Sequence, residues 1–154
     1  MELLQSLSDE PVSQLGPLPL HTVTPNQTVR DALQTMQSNE KGCVVVCDGR
    51  RPIGVLTERD ILRRMGASLP LDEPVRNVIS GEVWSIRSSD SLATAVRIMT
   101  RRRCRNLVVM SPEQEALGVL SVKRVVRAIV EHFPSSIYNL PPAPDQVPKD
   151  REGA

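Results

Sequence analysis

Thr57-Glu58-Arg59-Asp60 follows a strand-like run, Gly54-Val55-Leu56, and leads into a helical pattern carried by Ile61, Leu62 and Met65. A helix that begins there exposes unpaired backbone N–H groups and a partial positive charge, which suits a phosphate. The Thr57 hydroxyl adds a further donor. One turn on, Asp60 is a fixed acceptor of the kind that takes two neighbouring sugar hydroxyls, each such charged hydrogen bond contributing roughly 1.5–3 kcal/mol. The same Thr-x-x-Asp spacing is that of a helix-capping box, which needs no ligand. A second concentration of chemistry is Arg101-Arg102-Arg103-Cys104-Arg105, which must leave a helix and enter a strand. Of the 19 basic residues only Lys41, Lys123 and Lys149 are lysine. The planar arginine fork matches phosphate or carboxylate, although arginines ending a helix also complement its dipole.

Other chemistries find little support. His21 and His132 lie far apart in sequence with no Cys or acid grouping at metal spacing, so no metal site is expected. Serine-nucleophile, Gly-rich and phosphate-loop patterns are absent, and no catalytic residue is assigned. Cys43, Cys47 and Cys104 are an odd count, as expected of thiols in a reducing compartment. Cys104 stands between Arg103 and Arg105, whose charges favour a thiolate and hence a redox-sensing role. The 154 residues are 40% hydrophobic and 24% charged with a net charge of +1, which excludes a disordered polyelectrolyte and a generally basic nucleic-acid binder. Aromatics are 2% (Trp84, Phe133, Tyr138), so the core is aliphatic. No apolar run approaches the roughly 18 residues of a membrane span, and Met1 to Glu10 lacks a basic leader region. A cytoplasmic protein is expected.

The elements that must position these residues occur twice. Thr28-Val29-Arg30-Asp31-Ala32-Leu33-Gln34-Thr35-Met36 matches Ser91-Leu92-Ala93-Thr94-Ala95-Val96-Arg97-Ile98-Met99 at an offset of 63. Both carry apolar groups at i, i+3, i+4 and i+7, one stripe of an amphipathic helix, behind a hydroxyl residue suited to capping. Val44-Val45-Val46 meets Leu107-Val108-Val109, and at an offset of 64 Gly54-Val55-Leu56-Thr57 meets Gly118-Val119-Leu120-Ser121. Each repeat reads extended segment, helix, strand, turn, strand, helix. The first covers residues 12–66 and the second 76–133, joined by a proline-containing link, Gly66 to Pro74. One copy of roughly 55 residues buries too little surface alone, so the two are expected to join as an α+β unit, sheet against sheet. Residues 134–154, with five prolines, read as an extended polyproline-like arm, either a frayed terminus or a strap across a neighbouring subunit.

With Thr22-Val23-Thr24-Pro25, the Val29–Met36 helix, the Val44–Val46 strand and Gly54-Val55-Leu56-Thr57-Glu58-Arg59-Asp60-Ile61, the chain resembles a tandem pair of cystathionine-β-synthase (CBS) domains, a Bateman module. The resemblance covers about 120 residues. It implies two pseudo-symmetric β-α-β-β-α repeats, a non-enzymatic sensor and an adenine nucleotide (AMP, ADP or ATP) in the cleft between the repeats. It also implies pairing into a homodimer through helices. The family's ribose-binding Asp falls on Asp60, and its basic residue before the partner repeat's second strand falls on Arg105. Arg103, two residues earlier, shares that orientation if the chain is already extended there. For the adenine ring the candidates are Thr22, Val23, Ile53 and Val55, with core packing an equal alternative for Val23 and Val55.

The second cleft departs from the pattern. Ser121 keeps the hydroxyl, but Arg124 stands at the position of Asp60, and Gly42 stands at the position of Arg105. Arg124 can reach the phosphates of a ligand in the neighbouring cleft, or pair with an acid. One nucleotide per chain is therefore expected, with an unknown downstream protein as the receiver of the signal. The apolar stripe Val125, Val126, Ile129, Val130 and Phe133 is wide for so small a unit; an isologous dimer would bury what remains exposed, and intramolecular packing is the alternative. The rival reading is an interaction protein whose Arg101–Arg105 patch binds an acidic partner or nucleic acid. Near-zero net charge and few aromatics argue against nucleic acid.

Overall fold

A computed structural model describes residues 2–65, 68, 70–79 and 82–132, so the arm at 134–154 and Phe133 lie outside the described residues. A short N-terminal helix, α1 (Glu2–Asp9), precedes the first repeat, which runs β1 (Thr22–Val23), α2 (Val29–Asn39), β2 (Cys43–Asp48), β3 (Arg51–Thr57) and α3 (Glu58–Met65). The second runs β4 (Ser85–Arg87), α4 (Leu92–Arg102), β5 (Asn106–Met110), β6 (Ala116–Ser121) and α5 (Val122–His132). Each repeat makes its own three-stranded sheet, β1-β2-β3 and β4-β5-β6, with the first pair parallel and the second antiparallel. The registers correspond: Val45 faces Val55 and Val108 faces Val119, and both hairpins shift register after the matching residues Val46 and Val109.

Local sequence explains the elements. Thr28 caps α2: its hydroxyl accepts from the Asp31 N–H at 3.1 Å, and the Asp31 carboxylate accepts from the Thr28 N–H at 3.0 Å. Ser91 caps α4 by accepting from the Thr94 N–H at 3.1 Å. Both helices end on a left-handed residue, Glu40 at φ 53° and Arg103 at φ 52°, 63 positions apart.

Period-two alternation along the central strands then divides the core. Val44 and Val46 face the first repeat's helices with Val29, Ala32, Met36, Leu56 and Ile61. Leu107 and Val109 do the same with Leu92, Ala95, Met99, Leu120 and Val125. The opposite faces, Val45 and Cys47 against Val108 and Met110, form a third cluster that joins the two sheets, filled out by Leu20, Val55, Val83, Ala116 and Val119. The tips of the hairpins add a backbone bond from Ala116 N–H to the Arg50 carbonyl at 2.9 Å and an Arg50–Glu115 ion pair at 3.5 Å.

The segments that lead into each repeat are exchanged, which the periodicity does not reveal. A 3₁₀ turn at Val12–Leu15 docks on the second repeat: Val12 N–H donates to Asp90 at 2.8 Å and Ser13 N–H to Ser88 at 3.0 Å. Leu7 and Val12 complete that repeat's core. The matching turn, Val75–Asn77, docks on the first repeat through Val75 N–H to Gln27 at 2.8 Å and Arg76 N–H to Pro25 at 3.2 Å, and Val75 and Val78 complete its core. The strand glycines admit the exchanged segments. A Cβ on Gly54 would stand 2.5 Å from Ile79 Cδ1, and one on Gly118 would stand 2.7 Å from Leu18 Cβ and 3.1 Å from its carbonyl oxygen.

Gly118→Ala is therefore expected to lower the unfolding free energy by about 1–3 kcal/mol, read from the urea midpoint. Gly54→Ala should cost less, because its nearest obstacle is the end of a side chain rather than backbone. Equal midpoints for both variants and the parent would contradict this account.

Candidate functional site

Thr57 is the last residue of β3 and the cap of α3, and its Oγ1 accepts from the Asp60 N–H at 3.1 Å. Asp60 Oδ2 in turn accepts from the Thr57 N–H at 3.1 Å and from the Thr57 hydroxyl at 2.9 Å. The capping box expected from the spacing is thus complete, and it fixes the half-buried carboxylate at the helix start. Two consequences differ from the sequence expectation. The Thr57 hydroxyl proton is already committed to Asp60, so a phosphate must draw on other donors. Of the two carboxylate oxygens only Oδ1 has no protein partner among the described residues, so a diol meets one oxygen rather than a free fork. The helix end is also partly satisfied, since the Glu58 N–H donates to the Gly42 carbonyl at 2.9 Å.

The adenine-slot candidates lie on the same sheet as this box. Thr22 is exposed on β1, while Val23 is buried at 2% exposure within the first repeat's core. Ile53 is half-buried against that core, and Val55 is half-buried in the cluster between the sheets. For the Val23 and Val55 side chains, core packing is what the structure displays.

The arginines have different neighbours. Arg105 is exposed, immediately precedes β5, and its carbonyl accepts from the Val122 N–H at 2.9 Å, the counterpart of the Gly42–Glu58 bond. Arg103 is the left-handed cap of α4, so the chain is not extended there, and the reason for grouping it with Arg105 falls. The Arg102 guanidinium lies 4.6 Å from the centre of the Trp84 ring, a cation–π contact. Arg101, with Arg97, borders a groove of about 500 Å³ between α1 and α4. No hydrogen bond or ion pair joins Arg103 or Arg105 to Thr57 or Asp60 among the described residues.

In the other repeat Ser121 Oγ accepts from the Arg124 N–H at 3.1 Å. Among the described residues the Arg124 side chain pairs with no acid. Its Nη2 donates to the backbone carbonyl of Leu15 at 3.2 Å. Nothing in the residue pattern signals this partner, 109 positions away. Among the described residues no three His, Cys, Asp or Glu side chains gather as a metal site, and no helix is long and apolar enough to cross a membrane.

The CBS domain family model matches twice, at residues 12–67 and 75–131. A CBS domain-containing protein of Bacillus subtilis is 30% identical over 127 residues, covering 79% of this chain and 87% of its own. A relative from Methanocaldococcus jannaschii is 21% identical over 135 residues and longer: the chain spans 45% of it. Among solved structures, a CBS domain protein from Pyrobaculum aerophilum complexed with AMP superposes with a TM-score of 0.73 at 28% identity, covering 81% of this chain and 98% of that one.

The cysteines do not follow the expectation of an activated thiol. Burial raises the pKa of Cys43, Cys47 and Cys104 above the usual thiol value, and at Cys104 it outweighs the lowering by a backbone hydrogen bond and by Arg102. The thiols are thus protonated near neutrality, and only the thiolate is nucleophilic. Iodoacetamide should label the folded protein more slowly at pH 7.4 than it labels free cysteine, with the rate climbing as pH rises past 9. Labelling of Cys104 at pH 7.4 faster than the free amino acid would refute this.

Proposed function

This chain belongs to the CBS domain family as a tandem pair, and on that premise we propose that it is a regulatory module that binds an adenine nucleotide between its repeats. AMP, ADP or ATP would lay its ribose on Asp60 and its phosphate toward Arg105, with the base near Thr22 and Ile53. The observation that carries this reading is the Asp60 carboxylate: the capping box holds it by one oxygen and leaves Oδ1 to accept from a ribose hydroxyl. Arg105, exposed and without an acid partner among the described residues, supplies the cation a phosphate requires. The AMP held by the Pyrobaculum relative supports the same ligand class.

Such a module would act by transmitting a ligand-dependent change to another protein in the cytoplasm, and ligand shifts the arrangement only by its differential affinity for two states. The dimer face is redrawn from the structure. Val125 is buried and Ile129 packs within its own repeat, so part of the stripe on α5 is core. What remains exposed is Val126 at 51% and its counterpart on α3, Leu62, at 69%. Homodimerisation through these two helices would cover both.

Calorimetry tests the ligand. AMP is expected to bind the parent, and Asp60→Asn should weaken it about 10- to 100-fold, the loss of a hydrogen bond to a charged acceptor. 2′-Deoxy-AMP should show a loss of the same order on the parent. Arg105→Ala should weaken AMP but leave adenosine unchanged. No binding of any adenine nucleotide, together with RNA binding that falls steeply with salt, would favour the arginine-patch reading instead. For the dimer, Leu62→Asp/Val126→Asp should halve the mass by light scattering, and a monomeric parent at micromolar concentration would reject it.

A further inference from the structure

The start of α5 copies the start of α3 with its charge inverted. Ser121 Oγ accepts from the Arg124 N–H at 3.1 Å as Thr57 Oγ1 accepts from the Asp60 N–H at 3.1 Å. Where the first repeat offers a carboxylate, the second offers a guanidinium, which has five donors, no acceptor and a permanent charge. This half-buried side chain is turned inward. Nη2 donates to the Leu15 carbonyl at 3.2 Å, and Nη1 is buried with no partner among the described residues. Leu15 ends the 3₁₀ turn whose Val12 and Ser13 amides are held by Asp90 and Ser88. Further along, Leu18 rests against Gly118, and the Val119 N–H donates to the Pro19 carbonyl at 2.8 Å. Residues 12–19 therefore run along the second repeat from α4 to β6, and Arg124 grips them from α5.

Among the described residues the first repeat has no equivalent grip. Its exchanged turn, Val75–Asn77, docks in the same way, and Val78 is the counterpart of Leu15. The residue at the place of Arg124 is Asp60, an acceptor, and an acceptor cannot bond to a backbone carbonyl. A cleft that presents the unused Asp60 Oδ1 calls for a molecule that brings donors. A cleft bridged by an arginine does not. Stability alone is a poor reason for this arginine, because an apolar side chain of similar length avoids a buried, unpartnered Nη1.

We infer that Arg124 is a specificity-determining residue: it closes the second cleft with the chain's own N-terminal segment and confines nucleotide binding to the first. This rests on the nucleotide reading given above.

The test pairs AMP calorimetry with amide hydrogen exchange, the latter without nucleotide, on the parent, Arg124→Asp and Gly42→Arg/Arg124→Asp. Gly42 accepts a side chain, since a Cβ there would stand 3.4 Å from the Glu58 carboxylate group. The expected result is one AMP per parent chain and two per chain of the double variant. The Val12 and Ser13 amides should exchange at least tenfold faster in Arg124→Asp, while those of β2 and β3 keep the parent rate. Arg124→Asn carries the same measurements if the aspartate variant does not fold. Two AMP per parent chain, one per folded double variant, or unchanged exchange at Val12 and Ser13 would overturn the inference. AMP bound by the double variant but not by the parent would fail the first-cleft reading while supporting the closure. Faster exchange with no AMP bound by any of the proteins would overturn both the nucleotide reading and the confinement built on it.

Discussion

A three-stranded sheet with helices on one face has a second face that water must not reach, and in this protein each repeat can cover it only with the other. Val45 and Cys47 meet Val108 and Met110 across that boundary, and all four are buried. The strands are consequently apolar on both sides, which is why they read as unbroken runs rather than as alternating patterns. The exchange of the lead-in turns follows from the same need. A core of eight or nine small aliphatic side chains is incomplete until Val12 or Val75 closes it from the other half of the chain.

On this nearly symmetric frame the polar residues are distributed unequally. The same cap position carries Asp60 in one repeat and Arg124 in the other, and the same pre-strand position carries Gly42 and Arg105. Backbone bonds at these points are conserved between the halves, as the Glu58–Gly42 and Val122–Arg105 pairs at 2.9 Å illustrate. The scaffold therefore does not register the charge it displays. Ligand chemistry is free to differ between the two clefts without any change in fold, which is how a duplicated unit can hold one open site and one closed one.

Much of this was legible in the residues. The stripes Val29–Met36 and Leu92–Met99 became α2 and α4, and the Gly-to-hydroxyl strands became β3 and β6 with their caps, because periodicity and capping are local properties. The Thr57–Asp60 box was legible for the same reason. The exchanged segments were not: Pro11-Val12 and Pro74-Val75 lack any period, and their partners are distant in sequence. Arg103 misled because a left-handed cap on a non-glycine residue looks like any other position in a run of arginines. Cys104 misled because neighbouring charges are visible in a sequence whereas burial is not. The stripe on α5 was read correctly as apolar, and of the two partners it allowed, intramolecular packing accounts for Val125 and Ile129 while Val126 stays exposed.

The chain holds a single tryptophan, and its setting has an optical consequence. Trp84 precedes β4, its carbonyl accepts from the Val108 N–H at 3.0 Å, and the guanidinium at the end of α4 lies over its ring. The indole is thus an intrinsic fluorophore tied to one half of the molecule, with a cation 4.6 Å from its ring centre that shifts with the last turn of α4. Tryptophan emission from this protein therefore follows the packing around β4 and the end of α4 without an added dye.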